Sequence, residues 1–210
     1  MCPRMKRMNT TKQKLLDGAL EAIRVHGVAG VSARTIAAAA GVNQALVFYH
    51  FGSVHELLAA ACSAGTAARV AAYKERLEGV KSLRELLDVG RALHEEEREL
   101  GNVRVLAQLL AGAQVDKKLA APTADALALW NAEIEVTLSR VLTGSPFADF
   151  ADVRGLSRAI SAAFIGLELH EGVDPEGAQS ALSALEQLAG LLEMVDDLGP
   201  IARSRLRARL

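Results

Sequence analysis

Twenty residues of this 210-residue chain, Ser32–Phe51, hold the side chains best suited to chemistry. They read Ser-Ala-Arg-Thr-Ile-Ala-Ala-Ala-Ala-Gly-Val-Asn-Gln-Ala-Leu-Val-Phe-Tyr-His-Phe. At helical spacing Gln44, Ala45, Phe48 and Tyr49 share one face, which offers an amide, a methyl group and a phenol. Such a face complements the base edges and phosphates of a DNA major groove. Ser32 and Asn43 are of the types that cap helices, and Gly41 allows the left-handed backbone of a tight turn. The pattern predicts helix, turn and helix, with Val42, Val47 and Phe51 turned back onto Ile36, Ala37 and Ala40 and small alanines allowing close approach. An ordinary helical hairpin with a surface tyrosine fits the same spacing, so the pattern by itself leaves both readings open.

These residues need a frame, and the frame is helical. Ala and Leu abound, aromatics make up 4% of the chain, and no run of alternating β-branched residues occurs. Caps and breakers divide the chain into nine helices. The first is predicted to start after Thr10 or Thr11 and to end at His26-Gly27. The next three start at Ser32, Asn43 and Ser53, the last of them running to Glu78 or Gly79. Ser82 opens a helix to about Leu100 and Asn102 one to about Gln114. Pro122 suits the first turn of a helix to Leu142, and a Thr143-Gly144-Ser145-Pro146 loop follows it. Asp152 caps a helix to Glu171, closed by Gly172, and Pro175 opens one to about Leu198, closed by Gly199-Pro200. The fold class is all-α, divided into a helix-turn-helix domain at 1–56 and a helical domain at 57–210.

Charge is unevenly spread. Residues 1–56 hold seven Lys/Arg against three acids, a balance of +4. Residues 57–200 hold 13 against 22, a balance of −9, and Ile201–Leu210 carries four arginines. A basic head on an acidic body points to a polyanion partner for the head. No apolar run approaches the ~18 residues of a membrane span, and no apolar stretch follows the basic start as in a signal peptide. Cys2 and Cys62 are too few for a disulfide framework or a four-cysteine zinc site. The expectation is a cytoplasmic protein with no membrane association, no metal and no cofactor.

The stretch Ile36–Ser53, with His26-Gly27 upstream, closely resembles the DNA-binding domain of the tetracycline-repressor (TetR) family, over residues 12–60 or so. The resemblance implies a homodimeric, one-component transcriptional regulator, usually a repressor of a palindromic operator that a small molecule releases. By position, Ser32 matches a phosphate contact, Arg34 a base or phosphate contact, and Thr35 lies beside it. Asn43, Gln44 and Ala45 match the start of the recognition helix, Phe48 lies on its face, and Tyr49 and His50 match phosphate contacts. Three positions depart from the family: Ala45 replaces a Gly, Phe48 a Tyr, and Val54 a Lys. His55 or the basic arm Arg4, Lys6 and Arg7 is expected to compensate for the last.

The resemblance also implies an effector pocket among helices spanning about 82–171. From helical phase its apolar lining would be Leu86, Val89, Leu106, Leu110, Leu127, Trp130, Ile134 and Phe164, with Gln108, Gln114 or His170 as polar handles. An apolar ligand follows. The rival class is a helical ligand-binding or small enzyme-like domain built on His170, near Glu168 and Glu171, with no sequence-specific DNA binding. Against an enzyme, no nucleophile elbow, Walker loop or dinucleotide fingerprint is found. His55-Glu56-Leu57-Leu58-Ala59 lacks the second His of a zinc-protease motif. His94-Glu95-Glu96-Glu97 reads as a solvated acidic face. Two stripes, Leu156, Ile160, Ala163, Phe164 and Leu167, then Leu182, Leu185, Leu188, Ala189, Leu192 and Val195, fit a four-helix dimer interface across a two-fold axis.

Overall fold

A computed structural model of the chain describes residues 3–143, 145, 148 and 151–196, with side chains described between residues 10 and 191. Among the described residues there are nine α-helices, one 3-10 turn and no strand. The helices are α1 (Pro3–His26), α2 (Ala33–Ala40), α3 (Ala45–Phe51), α4 (Val54–Glu78), α5 (Leu83–Glu99), α6 (Asn102–Val115), α7 (Lys117–Val141), α8 (Val153–Glu171) and α9 (Pro175–Asp196), and the 3-10 turn is Val28–Gly30. No single described helix is long and apolar enough to cross a membrane.

Local capping chemistry sets most boundaries. Ser82 Oγ accepts the N–H of Glu85 at 3.1 Å and so starts α5. Asp152 accepts from Gly155 and Asp174 from Gly177, each at 3.0 Å, at the starts of α8 and α9. Two boundaries differ from expectation. α1 begins at Pro3, because no breaker separates Pro3 from Thr10, and proline itself suits a first turn. α7 begins at Lys117, where Asp116 accepts the N–H of Lys118 at 2.9 Å, so Pro122 lies inside the helix. Pro122 donates no N–H, and the Thr123 hydroxyl bonds the Leu119 carbonyl beside it at 2.7 Å. Gly144, Pro146, Leu198, Gly199-Pro200, the arginine tail, Cys2 and the side chains of Arg4, Lys6, Arg7, Leu192 and Val195 fall outside the described part.

The chain divides into two compact units, Met1–Ala71 with Glu97–Leu129 and Ala72–Glu96 with Trp130–Leu210. In the first, one core joins Leu15, Ala19 and Ile23 of α1 to Ile36 of α2, Val47 of α3 and Leu57 of α4. Val105 and Leu109 of α6 and Leu119 and Ala126 of α7 complete it. α1 and α2 approach so closely at Gly18 that a Cβ there would lie 2.8 Å from Ala40 Cβ and 2.9 Å from its backbone nitrogen. In the second, Leu77, Val80, Leu86 and Leu138 form the core, with Val89, Ile134 and Ile160 against it. The Arg140 guanidinium donates to the Leu77 and Val80 carbonyls at 2.6 and 3.2 Å, and the Leu77 carbonyl also accepts the Val80 N–H at 3.2 Å just past the end of α4.

Candidate nucleic-acid interface

The interface is built from the start of α2. Ser32 is extended, and its hydroxyl accepts the N–H of Thr35 at 3.2 Å while Thr35 Oγ1 accepts the N–H of Ser32 at 2.8 Å. This reciprocal capping box fixes where α2 begins and leaves Arg34 exposed beside it. Gly41 ends the helix with φ 62° and ψ 39°, the left-handed geometry that glycine adopts without a Cβ penalty. Val42 then donates its N–H to the Ala37 carbonyl at 3.0 Å and turns the chain. Asn43 Oδ1 accepts the N–H of Ala45 at 2.8 Å, so the predicted cap acts one residue before the helix proper.

α3 is anchored by one fully buried side chain. Val47 is 0% exposed among Ile36, Ala37 and Leu57, and it alone of α3 is fully buried. Leu46 and Phe51 flank it, half-buried against the same core. The other side of α3 faces outward, with Phe48 50% and Tyr49 69% exposed. Gln44 and Ala45 are exposed with them, and half-buried His50 meets the Tyr49 ring edge-on at 4.9 Å. After Gly52, Ser53 Oγ accepts the N–H of Glu56 at 3.1 Å and starts α4. Thus Ser32, Arg34, Asn43, Gln44, Ala45, Phe48 and Tyr49 are exposed, while Thr35 and His50 are half-buried. A short helix with an apolar keel and an outward polar face has the shape that enters a major groove.

The residues expected around a pocket fall in different places. In the second unit Leu86 is buried with Val89 and Ile134 against it. Trp130 lies tilted over Tyr73, centroids 6.1 Å apart, and the Phe164 ring covers Gly90 so tightly that a Cβ there would meet Cζ at 2.5 Å. Leu106, Gln108, Leu110, Gln114 and Leu127 belong to the first unit. The Gln108 side-chain oxygen accepts the N–H of Val28 at 3.3 Å. His170 is exposed, and its carbonyl accepts from Val173 and Asp174 at the end of α8.

The imidazole that does meet Glu168 and Glu171 is that of His94, with Nδ1 3.3 Å from Glu168 and Nε2 2.6 Å from Glu171. The stretch His94–Glu97 is therefore not a uniformly solvated face. His94 turns onto α8, and buried Glu97 pairs with Arg69 at 3.1 Å and accepts from Asn102 at 3.0 Å. His55, expected to serve as a phosphate contact, is 2.8 Å from Asp116. The Lys118 N–H and then the His55 hydrogen bond hold the Asp116 carboxyl below its ordinary range. The His94 and His55 pairings join residues more than sixty positions apart, and no local signal announces them.

Comparison with known proteins finds the same helix-turn-helix class of domain in this part of the chain. Residues 15–61, which contain this whole constellation, match the sequence model of "bacterial regulatory proteins, tetR family". Solved structures share the fold across nearly the whole length. One is a Rhodococcus sp. protein assigned to the TetR family of transcriptional regulators, with 24% identity over 90% of this chain and 100% of that one and a TM-score of 0.73. Salmonella enterica GusR has 19% identity over 87% and 95%, with a TM-score of 0.70. FadR from Bacillus subtilis, solved in complex with stearoyl-CoA, has 16% identity over 88% and 97%, with a TM-score of 0.66. Comparison with curated proteins gives no match.

Proposed function

We propose that this protein is a cytoplasmic, dimeric repressor that binds a palindromic operator through α2 and α3 and is released by an apolar small molecule. The observation that carries the reading is the outward face of α3, with Gln44, Ala45, Phe48 and Tyr49 exposed over a keel of fully buried Val47. Ser32, Arg34, Thr35, Asn43 and His50 surround that face and serve as phosphate and base contacts. One reading head covers only a few base pairs, and a two-fold dimer with recognition helices about 34–36 Å apart reads a palindrome with far more discrimination.

Exposed Leu156, Leu169, Leu188 and Leu191 support dimerisation through α8 and α9, and small residues such as Ala163 and Gly166 lie exposed among them. Ile160 and Phe164, assigned to the same stripe by spacing, pack on the subunit's own residues. Leu188→Glu is therefore the cleaner probe of a dimer. The complex of the similarly folded FadR with stearoyl-CoA supports a small-molecule effector, and in this reading Leu86, Val89, Trp130, Ile134 and Phe164 line its site.

The test is selection from a randomised duplex library with the full chain. A palindromic preference is expected, altered by Gln44→Ala at a cost of ~1–3 kcal/mol at the base it reads. Tyr49→Phe is expected to weaken all sequences alike. Binding with no sequence preference would overturn the regulator reading.

A further inference from the structure

We propose that Ala45 and Phe48 form an apolar reading surface for the C5 methyl group of thymine, so that the operator half-site holds a T·A pair recognised by that methyl. The inference rests on the operator reading above and names the base chemistry it would use. Phe48 is 50% exposed and Ala45 is exposed, three residues apart on the outward side of α3. Val47, 0% exposed, pins the other side in the core, so neither side chain turns inward while α3 keeps its seat. An apolar ring left in water adds little to the fold, and covering it in a complex is favourable. Phosphates call for a donor, and a phenyl ring has none. Of the four base edges in the major groove, only thymine carries a methyl group. Both departures from the family pattern within α3 act in this one direction. Ala45 for Gly adds a methyl, and Phe48 for Tyr removes a hydroxyl donor.

The neighbours of this surface complete the reading of an A·T pair. Gln44 stands one turn before Phe48 and makes no side-chain capping bond. Asn43 differs, because its Oδ1 is engaged by the Ala45 N–H at 2.8 Å. Gln44 is therefore the amide that presents a donor and an acceptor together, the pair that adenine N7 and N6 require. Arg34, whose guanidinium suits guanine, lies off this face at the start of α2. Tyr49, 69% exposed and met edge-on by the His50 ring, keeps its hydroxyl for a phosphate beside the groove. The face of α3 thus combines an amide for adenine with an apolar step for the thymine methyl. The same methyl stands at the same place on 5-methylcytosine, so the surface responds to that group on either pyrimidine.

The experiment uses the full chain and the duplex it selects from the randomised library, titrated by fluorescence at one fixed salt concentration. Each thymine of a half-site is replaced in turn by deoxyuridine, which lacks only the methyl group. At the thymine that faces α3 the affinity is expected to fall about fourfold, the fold-change of one buried methyl. Phe48→Ala is expected to lose most of that difference, binding the thymine and deoxyuridine duplexes nearly alike. At the same position in the wild type, 5-methylcytosine is expected to bind about fourfold tighter than cytosine. This second comparison needs no variant and decides the matter should Phe48→Ala bind no duplex. A preferred sequence in which no thymine responds to loss of its methyl overturns this inference and leaves the operator reading standing. A methyl effect of equal size in Phe48→Ala does the same. Binding with no sequence preference overturns both.

Discussion

Gly18→Ala sets two well-understood effects against each other. Gly18 lies inside α1, where alanine is favoured by about 1 kcal/mol on helix propensity. The new Cβ would lie 2.8 Å from Ala40 Cβ, 2.9 Å from the Ala40 nitrogen and 3.0 Å from the Ile36 carbonyl oxygen. Two of these three atoms are backbone of α2 and cannot rotate away, so α1 and α2 must part. Overpacking of this kind costs roughly 1–3 kcal/mol, and a backbone obstacle places this case in the upper half of that range. The net expectation is destabilisation by about 1–2 kcal/mol, read as a lower urea midpoint by circular dichroism. Ala67→Gly, at an exposed position of α4, calibrates the propensity effect in the same chain. Adding Ala40→Gly to Gly18→Ala removes the Cβ contact and leaves the two backbone contacts, so it should restore only part of the loss. A Gly18→Ala protein as stable as the wild type, or more so, would refute the close-approach reasoning.

Ser32→Ala removes the capping box and should cost ~1 kcal/mol in urea unfolding, with Thr35→Val removing the reciprocal half. Asp116 has its carboxyl held below the ordinary range, so it stabilises the fold above its unfolded value of about 3.9 and ceases to as pH falls through the folded value. Urea midpoints from pH 7 to 3 should therefore drop more steeply in the wild type than in Asp116→Asn. Burial pushes the Cys62 thiol up, against smaller opposing effects of Arg69 and the Thr66 hydroxyl. Disulfide reagents at pH 8 should accordingly label it slowly in the native chain and at least about tenfold faster in urea.

Much of this architecture was legible because its determinants are local. Ser32, Gly41, Asn43, Ser53, Ser82 and Asp152 mark helix ends through bonds that reach no further than four residues. The outward placement of Gln44, Ala45, Phe48 and Tyr49 followed from period alone, because Val47 leaves a seven-residue helix one way to bury an apolar side. The starts of α1 and α7 were misplaced for opposite reasons. Thr10 and Thr11 looked like caps in a segment with no reason to stop, and Pro122 looked like a beginning although Asp116 caps earlier. The partners of His94, His55 and Gln108 were illegible, since contacts across 61 to 80 positions leave no trace in spacing. Gly18 could have been noticed, because a glycine inside a good helix often marks a close approach.

The shared core of the first unit has a consequence for modularity. The core to which Ile36 and Val47 belong draws on two stretches of sequence separated by residues 72–96, with Val105, Leu109, Leu119 and Ala126 donated by the later one. A cut after residue 56 would discard these together with Leu57, Leu58 and Ala61, and would leave the inner faces of α1 and α2 in water. If moved to another protein, α1 to α3 must therefore travel with α6 and the opening turns of α7. Recombination at a single point cannot exchange that core intact.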